Sequence, residues 1–160
     1  MHIFNISNPS SPQYVSTFAH VRSCDPVVVN DSVAFVTLRS GNACGGFSNQ
    51  LDIIDIKNLY NPFLIRSYSM MNPHGLGLDE TTLFICEGEY GLKIFDAADI
   101  HSIDGHMIKF YQDLHAYDVI PHEDVLILIG NDGLYQYDYS DLADIRLLSQ
   151  MPIEPVSEKE

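Results

Sequence analysis

The chain is predicted to be all-β and β-propeller-like, with about three complete four-stranded blades preceded by an N-terminal half blade. Three observations carry this expectation: a short strand motif recurs, its copies are almost evenly spaced, and the runs around each copy follow one order. The motif reads "MHIFN" (1–5), "LDIID" (51–55), "LKIFD" (92–96) and "LYQYD" (134–138). Its starts lie 50, 41 and 42 residues apart. The long first interval holds "GNACGGFSN", residues 41–49, and without that insertion the period returns to about 41. Self-similarity at such a period marks a fold built by repeating one supersecondary unit.

Each unit resolves into four strands, a to d. Strand a is "DPVVVND", "HGLGLDE" or "AYDVIPHE", short, apolar and closed by polar turn residues. Strand b is "SVAFVTLR", "TLFICEG" or "VLILIGN", β-branched and aromatic runs too short for helices. Strand c is the repeated motif. Polar turns ("KNLYNP", "ADIHSIDG", "SDLADI") then lead into strand d, "FLIRSYS", "MIKFYQD" or "RLLSQM". At the N-terminus "NPSSP" leads into "QYVSTFA" in the same way. Alternation along strand c puts Leu92 and Ile94 on one face and Lys93 and Phe95 on the other. Asp96 ends that strand, where its carboxylate can accept N–H bonds of the following turn; Asp55 and Asp138 repeat it, and Asn5 can do the same. Recurrence at one turn position points to capping rather than catalysis.

The units are a half blade over 1–19, blades at about 24–69, 73–112 and 115–151, and a polar tail over 152–160. "DAADIHSIDG" admits a single helical turn, but no window keeps the i, i+3, i+4, i+7 pattern over three turns. A sandwich is the main rival, and it seldom repeats internally. Closed propellers typically have roughly 4–8 blades. The count therefore predicts part of a larger ring, completed by further blades or by another copy.

At the strand c motifs the chain resembles the LVIVD-repeat proteins, a β-propeller family named after that strand. "LDIID" and "LKIFD" match well, and "MHIFN" and "LYQYD" more loosely. "NPSSP" and "YNPFLIRSY" look like the family's Asp-x-Ser-x-Pro turn entering the next strand, whereas the last two repeats lack the proline. The resemblance runs from residue 1 to about 151. It implies a propeller, often in surface or secreted bacterial proteins, with no established chemistry and hence no catalytic residues to carry over. That family habit is the only pointer to location; the residues themselves leave the compartment open.

Composition narrows the partners. Eight Lys and Arg against 22 Asp and Glu give a formal charge of −14 over 160 residues. Such a surface repels phosphate backbones, which require clustered cations, so nucleic acid and anionic membrane are not expected as partners. Cations or a basic protein patch fit better. No apolar run approaches the roughly 20 residues of a membrane span. The three cysteines, Cys24, Cys44 and Cys86, form no C-x-x-C pair. Their odd number gives no disulfide framework and favours reduced thiols over one bridge.

Hairpin geometry gathers the candidate binding residues at one end of the blades. The starts of strand a supply Asp25, His74 and His115; the b–c turns supply Arg39, Asn42, Cys44, Phe47, Glu87, Glu89, Asn131 and Asp132. The insertion is the one departure from the repeat, and glycine-rich loops on rigid scaffolds often bind ligands. The plain alternative is a tolerated surface excursion. His74, His115 and Asp25 could form a metal-binding or acid–base cluster, although His74 aligns with Asp25 while the third equivalent is Ala116. Exposed or hydrogen-bonded histidines at a strand start are the simpler expectation. No G-x-S-x-G, H-E-x-x-H, Walker-type loop or G-x-G-x-x-G is present, and no cofactor is expected beyond an unproven metal ion. The leading expectation is a non-enzymatic propeller that binds a protein or glycan through the insertion-bearing face. A metal-assisted hydrolase or lyase is the second, and a structural piece of a larger propeller the third.

Overall fold

The computed structural model describes residues 1–19, 26–41 and 48–153. Among them the chain forms four antiparallel sheets in sequence order. The first pairs β1 (His2–Asn5) with β2 (Gln13–Thr17). The second runs β3 (Val27–Asn30), β4 (Val33–Leu38), β5 (Gln50–Asp55), β6 (Phe63–Ser69). The third runs β7 (Leu76–Asp79), β8 (Thr82–Cys86), β9 (Leu92–Asp96), β10 (Met107–Tyr111). The fourth runs β11 (Ala116–His122), β12 (Val125–Gly130), β13 (Gly133–Asp138), β14 (Arg146–Pro152). A 3-10 helix at Ile103–Gly105 occupies the turn before β10. The result is an all-β, propeller-like stack of blade-like meanders.

Register makes the blades superimposable position by position. Their first hairpins close on Asn30↔Val33, Asp79↔Thr82 and His122↔Val125, each with a two-residue loop. Val33, Thr82 and Val125 then pair with the motif residues Asp55, Asp96 and Asp138. Side-chain alternation gives every sheet a leading face, turned to the next sheet in the chain, and a trailing face, turned to the previous one.

Three separate core layers fill the gaps between sheets. Between the first and second lie Ala34, Val36, Leu38 and Ile54, with Met1 and Phe18 against them. Between the second and third, Phe35, Leu51 and Ile53 meet Leu76, Leu83, Ile85 and Phe95. Between the third and fourth, Phe84, Leu92 and Ile94 meet Val119, Leu126, Leu128 and Tyr137. Because the b and c strands of the second and third sheets are buried on both faces, they read as nearly continuous apolar runs. Each fully buried Leu, Ile or Phe contributes roughly 1.5–3 kcal/mol. Side-by-side sheets with a core between each pair exclude the sandwich alternative.

Strand a of one blade packs closely on the next. Gly75, just ahead of β7, donates its N–H to Tyr117 O at 2.8 Å. A Cβ on Gly75 would overlap Asp118, and one on Gly77 would overlap Pro121. Gly88 and Ala116 exchange a pair of backbone bonds of 2.9 and 3.0 Å. Thr37 Oγ1 donates to His74 O at 2.6 Å across the second and third sheets.

The c–d turns repeat in atomic detail. The Oδ1 atoms of Asn5, Asp55, Asp96 and Asp138 accept the N–H of Ser7, Lys57, Ala98 and Ser140 at 2.9–3.0 Å. Three residues on, Asn8, Asn58, Asp99 and Asp141 do the same for Ser10, Tyr60, His101 and Ala143 at 3.0–3.2 Å. A hydroxyl from the preceding sheet then holds each following turn. Tyr68 donates to Ile100 O at 2.8 Å, Tyr111 to Leu142 O at 3.1 Å, and Ser16 to Leu59 O. The two tyrosine oxygens also accept the N–H of Ile103 and Ile145.

Candidate functional site

The opposite end of the sheets carries no such uniform pattern. Register makes Leu38, Glu87 and Gly130 equivalent, and after them Arg39, Gly88 and Asn131. One position therefore holds an apolar, an acidic or no side chain.

Glu87 is fully buried. Its Oε1 accepts from Lys93 Nζ at 2.6 Å, while its Oε2 accepts the N–H groups of Met71 and Asn72 at 3.0 and 2.5 Å. Lys93 Nζ also lies 5.2 Å from the Phe110 ring centroid. The carboxylate thus fastens the β6–β7 connection to the third sheet. It stands at the start of the β8–β9 turn, in the position of the buried Leu38, facing the sheet before it.

His74 is half-buried, its ring edge-on to Tyr117 at 5.1 Å and its Nε2 3.3 Å from Asn72 Nδ2. A Cβ on Gly88 would meet both Asn72 and His74 at 2.8 Å, so glycine makes room for this ring. Burial, then the charge of Arg39, lowers the His74 titration below its ordinary value, with Glu87 opposing. His74 is accordingly neutral near pH 7. His115 has different surroundings, exposed on the wall of a cleft. Among the described residues no group of three His, Cys, Asp or Glu could hold a metal ion.

That cleft, about 460 Å³, lies where the fourth sheet meets the connection from β10 to β11. Its floor is Leu114 and Leu128, and its walls are Asp113, His115, Asn131, Asp132, Tyr135 and Tyr137. Tyr135 and Tyr137 stack with ring centroids 6.1 Å apart and planes 21° apart. The Tyr135 hydroxyl donates to Asp132 Oδ1 and accepts from Gln150 Nε2 at 3.0 Å. The bond to Asp132 pushes the Tyr135 phenol up to about 12, so it stays protonated. Among the described residues no Lys or Arg lines the cleft. Its field is negative and its wall aromatic, a combination that attracts cations.

Of the other expected site residues, Arg39 is half-buried near His74, and Glu89 is exposed in the β8–β9 turn. Asp25, Asn42, Cys44 and Phe47 lie outside the described residues. The base of the insertion is secured by Asn49, whose Oδ1 accepts Ser40 N–H at 2.8 Å and whose Nδ2 donates to Met71 O at 2.7 Å. Cys86 is buried, and burial raises its thiol well above the ordinary range, which makes it inert. Sequence reasoning missed Asp113, Tyr135 and Tyr137. The available signal was "LYQYD", whose tyrosines take the places of Lys93 and Phe95 on the trailing face.

Comparison with known families bears on the turns. A family model described as the LVIVD repeat matches residues 1–19 and 40–70. These two segments are similar to LVIVD repeats. Each match covers a strand c, its double turn and a strand d, namely β1–β2 and β5–β6. The resemblance expected from the motif is therefore present, over a shorter span than residues 1 to about 151. The third and fourth sheets carry the same turn geometry outside the matched segments. A search of curated proteins finds no match to this chain. No helix of the described residues is long and apolar enough to cross a membrane.

Proposed function

We propose that this LVIVD-repeat chain is a non-enzymatic binding module that recognises a basic segment of a protein partner. The cleft at the end of the sheets that bears the insertion supports this reading. It combines a tyrosine wall with Asp113 and Asp132, and among the described residues neither Lys nor Arg lines it. A lysine or arginine entering it would meet two carboxylates and the Tyr135 ring, gaining Coulomb attraction and cation–π contact together. Electrostatic steering by the acidic chain would speed the encounter. The separation of His74 from His115 in their surroundings gives the acid–base alternative no comparable support.

Calorimetric titration with a lysine-rich peptide, a neutral peptide of equal length and a neutral oligosaccharide tests this. The lysine-rich peptide should bind, more weakly as salt rises. Asp132→Asn should weaken it roughly tenfold, equivalent to about 1.4 kcal/mol. Binding of the oligosaccharide alone would replace the protein reading with a glycan one. Peptide binding untouched by Asp132→Asn and Tyr135→Ala would remove the cleft from the account.

A further inference from the structure

One register position on strand c is solved differently in each blade. Asp52, Lys93 and Tyr135 are equivalent there. Each faces an outer-strand neighbour, Ser67, Phe110 and Gln150 in turn. The first two are satisfied from within. Asp52 is 3% exposed, and its Oδ1 accepts from Gln50 Nε2 at 2.7 Å and Ser67 Oγ at 2.6 Å. Lys93 Nζ lies 2.6 Å from Glu87 Oε1 and 5.2 Å from the Phe110 ring centroid. The third blade thus gives its own cation both an anion and an aromatic ring.

The fourth blade keeps anion and ring but has no cation of its own. Tyr135 stands in the place of Lys93, and Gly130 in that of Glu87. A Cβ on Gly130 would lie 2.8 Å from His115 O and 3.0 Å from Tyr135 Cε2, so the glycine admits both the connection and the ring. The carboxylates come instead from loops, Asp113 ahead of β11 and Asp132 after β12. Among the described residues neither forms an ion pair. The Tyr135 hydroxyl donates to Asp132 Oδ1 and is itself held by Gln150 Nε2, which fixes the ring beside that carboxylate. Asp132 Oδ2 is left for a further donor. Tyr137, 8% exposed, backs the Tyr135 ring, the more open of the two.

We propose that this cleft selects arginine over lysine, so that a basic segment enters it through a guanidinium. The inference rests on the basic-segment reading above and narrows it. A guanidinium is planar and more weakly hydrated than an ammonium, so it stacks on a tyrosine ring at lower cost. Laid on Tyr135, it adds one layer to the Tyr137–Tyr135 stack. Its in-plane N–H groups point outward from that stack, where Asp132 Oδ2 and the Asp113 carboxylate accept them. Leu114 and Leu128 on the floor receive the methylene stem. Lysine brings the same charge but no flat face, and it gives up a tighter water shell.

Calorimetric titration with arginine-rich, lysine-rich and citrulline-rich peptides of one length tests this. The arginine-rich peptide should bind roughly tenfold more tightly than the lysine-rich one. The citrulline-rich peptide, planar but uncharged, should not bind. Tyr135→Phe keeps the ring and should keep the preference. Tyr135→Leu removes the flat face and should bring arginine down to the lysine value, with an unchanged far-ultraviolet dichroism spectrum. The wild-type comparison decides the matter if Tyr135→Leu does not fold. Equal affinity for the two basic peptides, both weakened by Asp132→Asn, would overturn the arginine selection and leave the basic-segment reading in place. Failure of both to bind would remove the two together. An arginine preference that survives Tyr135→Leu would overturn the stacking on this ring.

Discussion

The two ends of the sheets obey different rules. At the c–d end, four turns use the same pair of Asx side chains for the same bonds, whatever residues surround them. At the other end, equivalent positions hold Leu38, Glu87 and Gly130, and each blade finds a separate solution for its own connection. Repetition marks where the fold is maintained, since every blade faces the same problem of turning from strand c to strand d. Divergence marks where individual blades were free to acquire something else, and there the chain holds its insertion, the His74 environment and the tyrosine cleft.

The largest effect that should separate the two ends comes from Glu87. Glu87→Ala leaves Lys93 without its partner and two backbone N–H groups without an acceptor. Removing one member of a buried ion pair costs about 3–5 kcal/mol, readable as a fall in the urea midpoint at constant m-value. Glu87→Gln, which can still accept the N–H bonds, should lose less. A loss below about 1 kcal/mol, the size of one ordinary hydrogen bond, would show that the variable end does not hold the third blade in place.

Gly75→Ala should come next, because the added methyl must displace Asp118 or part β7 from β11. Overpacking of this kind costs roughly 1–3 kcal/mol, measurable by thermal unfolding. A neutral result would mean that the inner strands are not in tight contact. Smaller again are the turn caps. Asp55→Ala and Asp96→Ala should each cost about 1 kcal/mol, one hydrogen bond apiece. Near-equal losses in chemical denaturation would sharpen the idea of one turn used repeatedly; widely unequal ones would break it.

The smallest effect is a pH dependence confined to the variable end. The folded state lowers the His74 titration below 6.5, so the unfolded chain binds the proton first as pH falls. Stability is therefore fully present above 6.5 and declines as pH drops from there through the lowered folded value. His74→Gln should flatten that part of the stability curve relative to the wild type. An identical slope in both proteins would place the titration on another group.

Much of this fold could be read in advance, for a physical reason. Strands b and c of the second and third sheets are buried on both faces, so their apolar runs are long and dense, and the capped turn after strand c leaves an Asp or Asn at a fixed place. The second Asx of each turn, at Asn8, Asn58, Asp99 and Asp141, was equally present but lies outside any strand pattern. The site was less legible. Glu87 looks like a turn residue because its partners come from elsewhere: Lys93 lies across a hairpin, and Met71 and Asn72 belong to the preceding connection. Tyr135 and Tyr137 pass for a loose copy of the motif. Only the path of Asp113–His115 past the fourth sheet turns them into a cleft wall.

The hydroxyls of Ser16, Tyr68 and Tyr111 each reach forward to the turn of the sheet that comes after them. The stack is consequently not symmetric along its length. Every clamp is in place before the loop it grips has been made, so a nascent polypeptide could lay down blades in order of synthesis, each one templating its successor. Disorder would spread the same way: losing the last blade releases no earlier grip, whereas losing an early one loosens the next.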